Sequence, residues 1–548
     1  MRIPRGRSKE TAFVLVAVLV VISILSYSAY EFAHWIEVET ETAMVQGRQT
    51  QTRYLAESGQ AFIEAIERLR RQGQQVPLLD NNSDLFDGIA ISLEAKEAGD
   101  ESVATAEPEG RMTIRSSIPS SESSKGSGPT SSTENVRFGT DSEAARIHVN
   151  AWFLRDAKSL ESALLALPAA TKERVAAVLD WLDADDVKRE GGAEREEYEK
   201  LEPAIVPRNG LLESLDELLL VQGMTPAVFF GEDANRNGLL DPEENDGEQQ
   251  PPMDDEDGEL DPGWKDFLTL WSVEPNVDRK GLPKIRLHEP DLGKLYSQIE
   301  REFSTEWAQW IISARVLGTA GMFREPVSPE VVPPEMGPFR FGSTLDLVDA
   351  RVVGIYQGKT VDKESPLRSS EGDFREQLEK VMDRLTVEWE PQVQGRLDVT
   401  SARMESLSLL KSLSEEERKK IVDSRPPIGV PRNSSAETSA NDDRQPRGTN
   451  AWLLTGGILP KETLRLIERD ICSTSHVIRF ETAGRMLGQR QGHRLEIVLD
   501  TGVMPPRVRS RSRLDRWGSV NSLQQEDESG QAKELPTLGE EALAPGSS

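Results

Sequence analysis

From Thr11 to Tyr30 the chain has no charged residue, and the run AFVLVAVLVVISILSYSAY is about the twenty residues a helix needs to cross a hydrocarbon core. A cleaved signal sequence has an apolar region of about 7–15 residues, whereas this run is longer and continues into an amphipathic pattern, so it reads as a retained transmembrane anchor. Arg2, Arg5, Arg7 and Lys9 precede it, and Glu31, Glu37, Glu39 and Glu41 follow. The excess of basic residues on one flank predicts a cytoplasmic N-terminus, with everything after Tyr30 on the far side; in a diderm bacterium that is the periplasm, and the membrane is the inner one. Tyr27, Tyr30 and Trp35 fall where an outer aromatic belt is expected.

Beyond the span, Val38, Val45, Leu55, Ala56, Phe62, Ile63 and Ile66 keep a helical spacing as far as Arg70, with no proline and glycine only at 47 and 59. One helix of about sixty residues is predicted to run from membrane to solvent. Such a helix suits side-by-side packing with similar helices in a filament, and it suits a simple stalk equally well.

The remaining composition limits what the chain can bind. Its 548 residues carry 65 Lys+Arg against 94 Asp+Glu, a formal net charge of -29. Nucleic-acid readers need clustered cations to displace counterions, so a phosphate-backbone partner is set aside. The single cysteine, Cys472, excludes an internal disulfide or a multi-cysteine metal site and reads as a small buried hydrophobe. With an apolar share of only 37%, solvated segments are expected between folded units. Three stretches have that composition: about 98–135, with RSSIPSSESSKGSGPTSST, then 425–450, and the tail after Trp517.

Between these stretches, Leu160–Asp186 predicts two apolar-faced helices divided at Pro168–Ala170, with Thr171 capping the second. A similar hairpin is expected at Leu211–Phe230, with Leu212, Leu215, Leu218, Leu219 and Leu220 as its apolar face and Gly223 ending its first helix. A weaker copy spans Ser401–Arg425. DNA-binding hairpins of this type need a glycine turn and basic flanks. Here the turn is Pro168-Ala169-Ala170 and the flank is Asp180, Asp183, Asp185 and Asp186, which favours packing. Strand-like segments follow at Leu345–Tyr356, Val477–Met486 and Arg494–Leu499, the last two as a β-hairpin. The fold class is therefore α+β: a long N-terminal helix, a C-terminal antiparallel sheet, and a large inserted α-helical lobe. The expected segments are a leader at 1–10, the anchor and long helix at 11–75, an insertion-bearing segment at 76–139, the lobe at 140–335, an α/β region at 336–517 and the tail at 518–548.

The sharpest chemical signal is DANRNGLLDPEE, Asp233 to Glu244. It fits the twelve-residue calcium loop, with Asp233, Asn235 and Asn237 as side-chain ligands, Leu239 through its carbonyl, Asp241 directly or through water, and Glu244 bidentate. Gly238 allows the sharp turn, and Leu240 is the inward apolar residue. Structural Ca²⁺ is the expected ion. The acidic run Asp254–Asp261 resembles half of a second loop, with Trp264 where a bidentate glutamate belongs. No catalytic set is found: the five histidines are scattered, and Gly354–Thr360 is one residue short of a phosphate loop.

The segment from Val178 to Asp246 resembles minor pseudopilin K of the type II secretion system, the general secretion pathway. The likeness extends to RYLAESGQ at Arg53–Gln60, LTLWSVEPNVD at Leu268–Asp278, GRLDVTSA at Gly395–Ala402 and the terminal hairpin. It implies a non-enzymatic subunit at the tip of a periplasmic pseudopilus, assembling with minor pseudopilins I, J and H above the major pseudopilin. It also implies a pilin-like α/β fold interrupted by the helical lobe, and a role in starting assembly and exporting folded proteins across the outer membrane. Prepilin peptidase, a further partner of such proteins, cuts after a glycine abutting the apolar run. Here Arg-Ser-Lys-Glu-Thr separates Gly6 from Ala12. The glycine of the family's hairpin motif is Ala169. A membrane-anchored binding module for exported proteins is the alternative reading.

Overall fold

The computed structural model describes residues 8–72, 74, 76, 82–91, 110–116, 137–236, 240, 244–245, 247, 260–319, 339–356, 359–425, 448–486 and 492–515. Residues 1–7 of the leader, nearly all of the Ser-rich stretches and the tail lie outside these residues.

Helix α1 spans Ser8–Arg71 without a break. With no proline in the run, every backbone N–H past the first turn can bond within the helix, and the hydroxyls of Ser23, Thr40, Thr42 and Ser58 bond back to carbonyls four residues earlier at 2.8 Å. Its two parts meet different surroundings. From Phe13 to Gln51 every side chain is exposed, including Val38 and Val45, and the apolar part is long enough to cross a membrane. From Thr52 onward Thr52, Leu55, Ala56, Gly59, Ile63 and Ile66 are buried, with Phe62 half-buried, in the three-and-four spacing of one helix face.

That face lies on an antiparallel sheet of β1 (Ile89–Ile91), β2 (Gly110–Arg115), β3 (Asp141–Ser142), β4 (Val477–Met486), β5 (Gly492–Asp500) and β6 (Arg507–Arg513). The order is β1-β2-β4-β5-β6, with β3 also paired to the start of β4. The expected β4–β5 hairpin is present, with Val477 opposite Asp500 and Arg485 opposite Gly492. Strand alternation gives the sheet two unlike faces. Met112, Ile114, Ile478, Phe480, Leu495, Ile497 and Leu499 form one core with α1. The approach is close: a Cβ at Gly484 would lie 2.4 Å from the Thr52 carbonyl oxygen and 2.5 Å from the Ala56 nitrogen, and the Thr482 hydroxyl donates to the Ala56 carbonyl at 2.9 Å.

A larger core runs from Ile147 to Ile471. Its first hairpin is α2 (Val149–Leu164) and α3 (Lys172–Leu182), with Thr171 accepting the Arg174 N–H as N-cap. Ala169 adopts φ 51°, so the left-handed turn a glycine would favour persists without one. The Arg174 guanidinium donates to the Ala169 carbonyl and, at 2.8 Å, to that of Gly223, linking the first hairpin to the second.

The second hairpin departs from the expected pair of α-helices. Leu215–Leu220 is 3₁₀, closed by a capping box of Ser214 and Glu217, and Pro226–Phe230 is a single short α-helical segment. Leu212 and Leu218 are buried while Leu220 is exposed, because three residues per turn cannot keep five leucines on one face. The third copy is two short helices, Met404–Leu407 and Glu415–Asp423. In the expected Leu345–Tyr356 strand, Thr344–Leu347 is a 3₁₀ turn and only Arg351–Tyr356 is extended, pairing with Lys359–Glu364. Gly354–Tyr356 and Lys359–Thr360 of the phosphate-loop lookalike thus lie on these two paired strands, and Gln357 and Gly358 lie outside the described residues. Residues 339–356, 359–425 and 448–471 pack with the lobe, and among the described residues after them the α1 sheet resumes at Val477.

Candidate functional site

The second face of the sheet is charged, buried and turned toward the lobe. Along β4 and β5, Arg479, Glu481, Arg494 and Glu496 occupy alternate positions opposite the apolar ones. Glu481 receives Arg115 at 2.7 Å and Arg494 at 2.6 Å. Burial pushes its carboxyl up, but these two guanidinium groups outweigh it and hold it below the usual range. Glu143 receives Arg479 at 2.6 Å and Arg146 at 3.4 Å, together with the Thr269 hydroxyl. Glu496 lies between Lys265 at 3.3 Å and Arg479 at 3.6 Å. Burial raises it too, and Lys265, Arg479 and Arg146 bring it down to about 2. Glu143, Lys265 and Thr269 come from outside the strands, so paired charge joins sheet to lobe beside a small apolar cluster of Val273 with Val477 and Val498 on the same face of the sheet.

The calcium-pattern loop is attached to this layer. Helix Pro226–Phe230 stops at Gly231, φ 76°, where the chain bridges to Pro262. A Cβ at Gly231 would come within 2.2 Å of the Asp261 oxygen, and one at Gly263 within 2.3 Å of the Gly231 nitrogen. The Glu232 N–H donates to the Asp261 carbonyl at 3.1 Å, and the Asp261 N–H to the Glu232 carboxylate at 2.9 Å. These contacts clamp the base of the loop. Within it, the buried carboxylate of Glu244, the twelfth position, accepts the N–H of Asn235, the third, at 3.2 Å. Arg494 reaches from β5 to the carbonyls of Asn235 and Arg236.

Asp233 and Asn235 are half-buried beside this contact. Asn237, Gly238, Leu239 and Asp241 lie outside the described residues, as does most of the second acidic run. Carboxylate and amide oxygens at the first, third and twelfth positions, with the twelfth folded back on the third, are a donor set that suits Ca²⁺.

The sequence reading missed Arg494, Glu481, Arg479 and Glu496, although their signal was present: IRFET and HRLEI place Arg and Glu two residues apart inside apolar strands, on one face. Cys472 is buried, and burial raises its thiol pKa, as expected of a small core residue.

Comparison with known families finds a match in the lobe. Residues 155–230, from α2 to the end of helix Pro226–Phe230, match the family described as type II secretion system (T2SS), protein K. No curated protein matches the chain.

Proposed function

We infer that this chain, a type II secretion system protein K family member by its match over residues 155–230, is a minor pseudopilin at the tip of the periplasmic pseudopilus. Proteins of this family are structural secretion components. The observation that carries the finer reading is the division of α1: its C-terminal part is fixed to the chain's own sheet, while Phe13–Gln51 is a continuous exposed helix, apolar in its first half. Such a helix needs lipid before assembly and neighbouring helices after it. In this reading the anchor lies in the bacterial inner membrane with its N-terminus cytoplasmic and its bulk periplasmic. The helix packs with minor pseudopilins I, J and H above the major pseudopilin, starts pseudopilus assembly and supports export of folded proteins. No acidic residue interrupts the run from Thr11 to Tyr30, which suits a subunit with no earlier helix to pair with. Structural Ca²⁺ held by Asp233, Asn235, Asn237, Leu239, Asp241 and Glu244 stiffens the lobe against the sheet through Arg494.

Co-purification of the full chain with pseudopilins I and J, in calcium and in chelator, tests this. A stoichiometric complex that weakens in chelator supports both parts of the reading. Absence of a complex in either condition favours the anchored binding module for exported proteins.

A further inference from the structure

Two short ladders hold the segment 385–394: Leu385–Thr386 pairs with Ile285–Arg286, and Gln392–Gln394 pairs with Val273–Pro275. Alternation buries Ile285 and Val393 and turns Arg286, Gln392 and Gln394 outward. The connection between the ladders carries Trp389, which is 50% exposed. Beyond α1 it is the one exposed tryptophan among the described residues. The Arg286 guanidinium lies over its ring, 5.1 Å from the centroid.

More arginines gather beside it. Arg469, in the 3₁₀ turn Glu468–Asp470, donates to both oxygens of Glu388 at 2.6 and 3.2 Å, and its carbonyl accepts from Arg396 Nε at 3.1 Å. Arg155, from α2, donates to Asp470 at 2.8 Å and to the Gln394 carbonyl at 2.7 Å. Four arginines against Glu388 and Asp470 leave two positive charges. Arg286 and Arg396 donate to the carbonyls of Trp389 and Arg469 and form no ion pair among the described residues. The excess is felt nearby. Burial first, and then Arg396, lower Lys284 to about 8 against the pull of Asp383 and Glu468. Burial, and then Arg315, Arg340 and Arg469, hold the His288 imidazole below its ordinary value. This local positive field stands on a chain whose formal net charge is -29. A solvated network of ion pairs accounts for Arg155 and Arg469, which are paired, but not for Arg286, Arg396 and the uncovered indole.

We propose that this face, centred on Trp389 and flanked by Arg286, Arg396 and Arg469, docks an acidic segment of a partner polypeptide. Carboxylates of that segment meet the guanidinium groups while one apolar side chain covers the indole. Tryptophan and arginine are the side chains that most often dominate protein interfaces, and here they are adjacent. Glu388 and Asp470 interrupt the cationic strip, so the evenly spaced charges of a phosphodiester chain would be repelled at two positions, whereas a polypeptide can place its carboxylates selectively. Because the whole chain repels anions, attraction of an acidic segment has to arise locally, within about a Debye length of roughly 10 Å. This surface does not depend on the pseudopilus reading.

The test uses the full chain in detergent and a fluorescein-labelled octapeptide of glutamates with one central leucine, titrated by fluorescence anisotropy at low and at high salt. The peptide is expected to bind at low salt and to be released as salt rises. R286Q/R396Q together, and W389A alone, should each weaken binding about tenfold. K200Q removes an equal exposed charge elsewhere on the lobe and should leave binding unchanged. No binding by the parent chain, or equal binding by R286Q/R396Q, overturns the proposal. So does inorganic polyphosphate that displaces the peptide equally well from the parent and from W389A, since that marks a surface for any polyanion. If near-UV circular dichroism shows that W389A does not fold, R286Q/R396Q decides.

Discussion

Replacing Gly484 by alanine tests how α1 is held. The added Cβ would lie 2.4 Å from the Thr52 oxygen, 2.5 Å from the Ala56 nitrogen and 2.6 Å from the Leu55 Cβ. Two of these are backbone atoms of a continuous helix, so no rotamer change relieves the clash, and the helix must retreat by roughly 1 Å to restore ordinary contact. Overpacking of this kind costs about 1–3 kcal/mol. Stretching the 2.9 Å bond from Thr482 to the Ala56 carbonyl adds roughly 1 kcal/mol. Removing a strand glycine returns about 0.5–1 kcal/mol. The net expectation is a loss of about 2–3 kcal/mol, read as a fall of roughly 2–4 °C in the melting of the full chain in detergent, followed by near-UV circular dichroism. Gly47→Ala is the control: it lies in the same helix, its new methyl group would meet nothing within 4 Å, and it should be neutral or stabilising by up to about 1 kcal/mol. Gly484→Ala melting at the parent temperature, or Gly47→Ala falling as far, would refute close approach as the basis of docking.

Ala169→Gly relaxes a left-handed residue at φ 51° and should raise stability by about 0.5–1 kcal/mol, since the strain removed exceeds the entropy glycine adds to the unfolded chain; denaturant titration that shows a loss contradicts this. Glu496 has a folded pKa depressed from 4.5 to about 2. Its contribution, about 3 kcal/mol, is therefore complete above pH 4.5 and fades as pH falls toward 2, and Glu496→Gln should flatten unfolding free energy against pH across that window. His148 works from the other side: burial lowers it from 6.5 to about 4, so its proton is taken up mainly by the unfolded chain, and stability falls as pH drops between those values. His148→Asn should reduce that slope in the same titration. Glu244→Ala is expected to lower the melting temperature in calcium and to erase the response to chelator; an unchanged melt would remove the ion from the loop.

Features governed by neighbours in sequence were legible. The uninterrupted α1, the Thr171 cap and the β4–β5 hairpin follow from a missing proline, a hydroxyl at the right position and period-two alternation. What was not legible depends on partners distant in the chain. Leu211–Phe230 has enough leucine for two α-helices, yet its first element is 3₁₀, because a Ser214–Glu217 box starts a turn too short to propagate. Asp180 and Asp183 read as a solvated acidic flank, since nothing nearby in sequence says that Gly192 and Glu194 will fold back over them. The same limit hid Arg494, whose use is defined by the Asn235 and Arg236 carbonyls more than two hundred residues earlier.

The charged layer also explains how the lobe, inserted between β3 and β4, stays joined to the sheet. An apolar seam would fuse the two cores and tolerate sliding, whereas ion pairs are directional and costly to leave half-made. Arg479 illustrates this, since it holds Glu143 at 2.6 Å and Glu496 at 3.6 Å at once, and any shift of the lobe strands at least one buried charge. Arg494 extends the constraint to the 233–244 loop by directing its remaining donors to that loop's carbonyls. A cation bound there would then be felt on β5, on the face of the sheet opposite α1, which makes the orientation of the lobe relative to the membrane helix the property that such binding would stiffen.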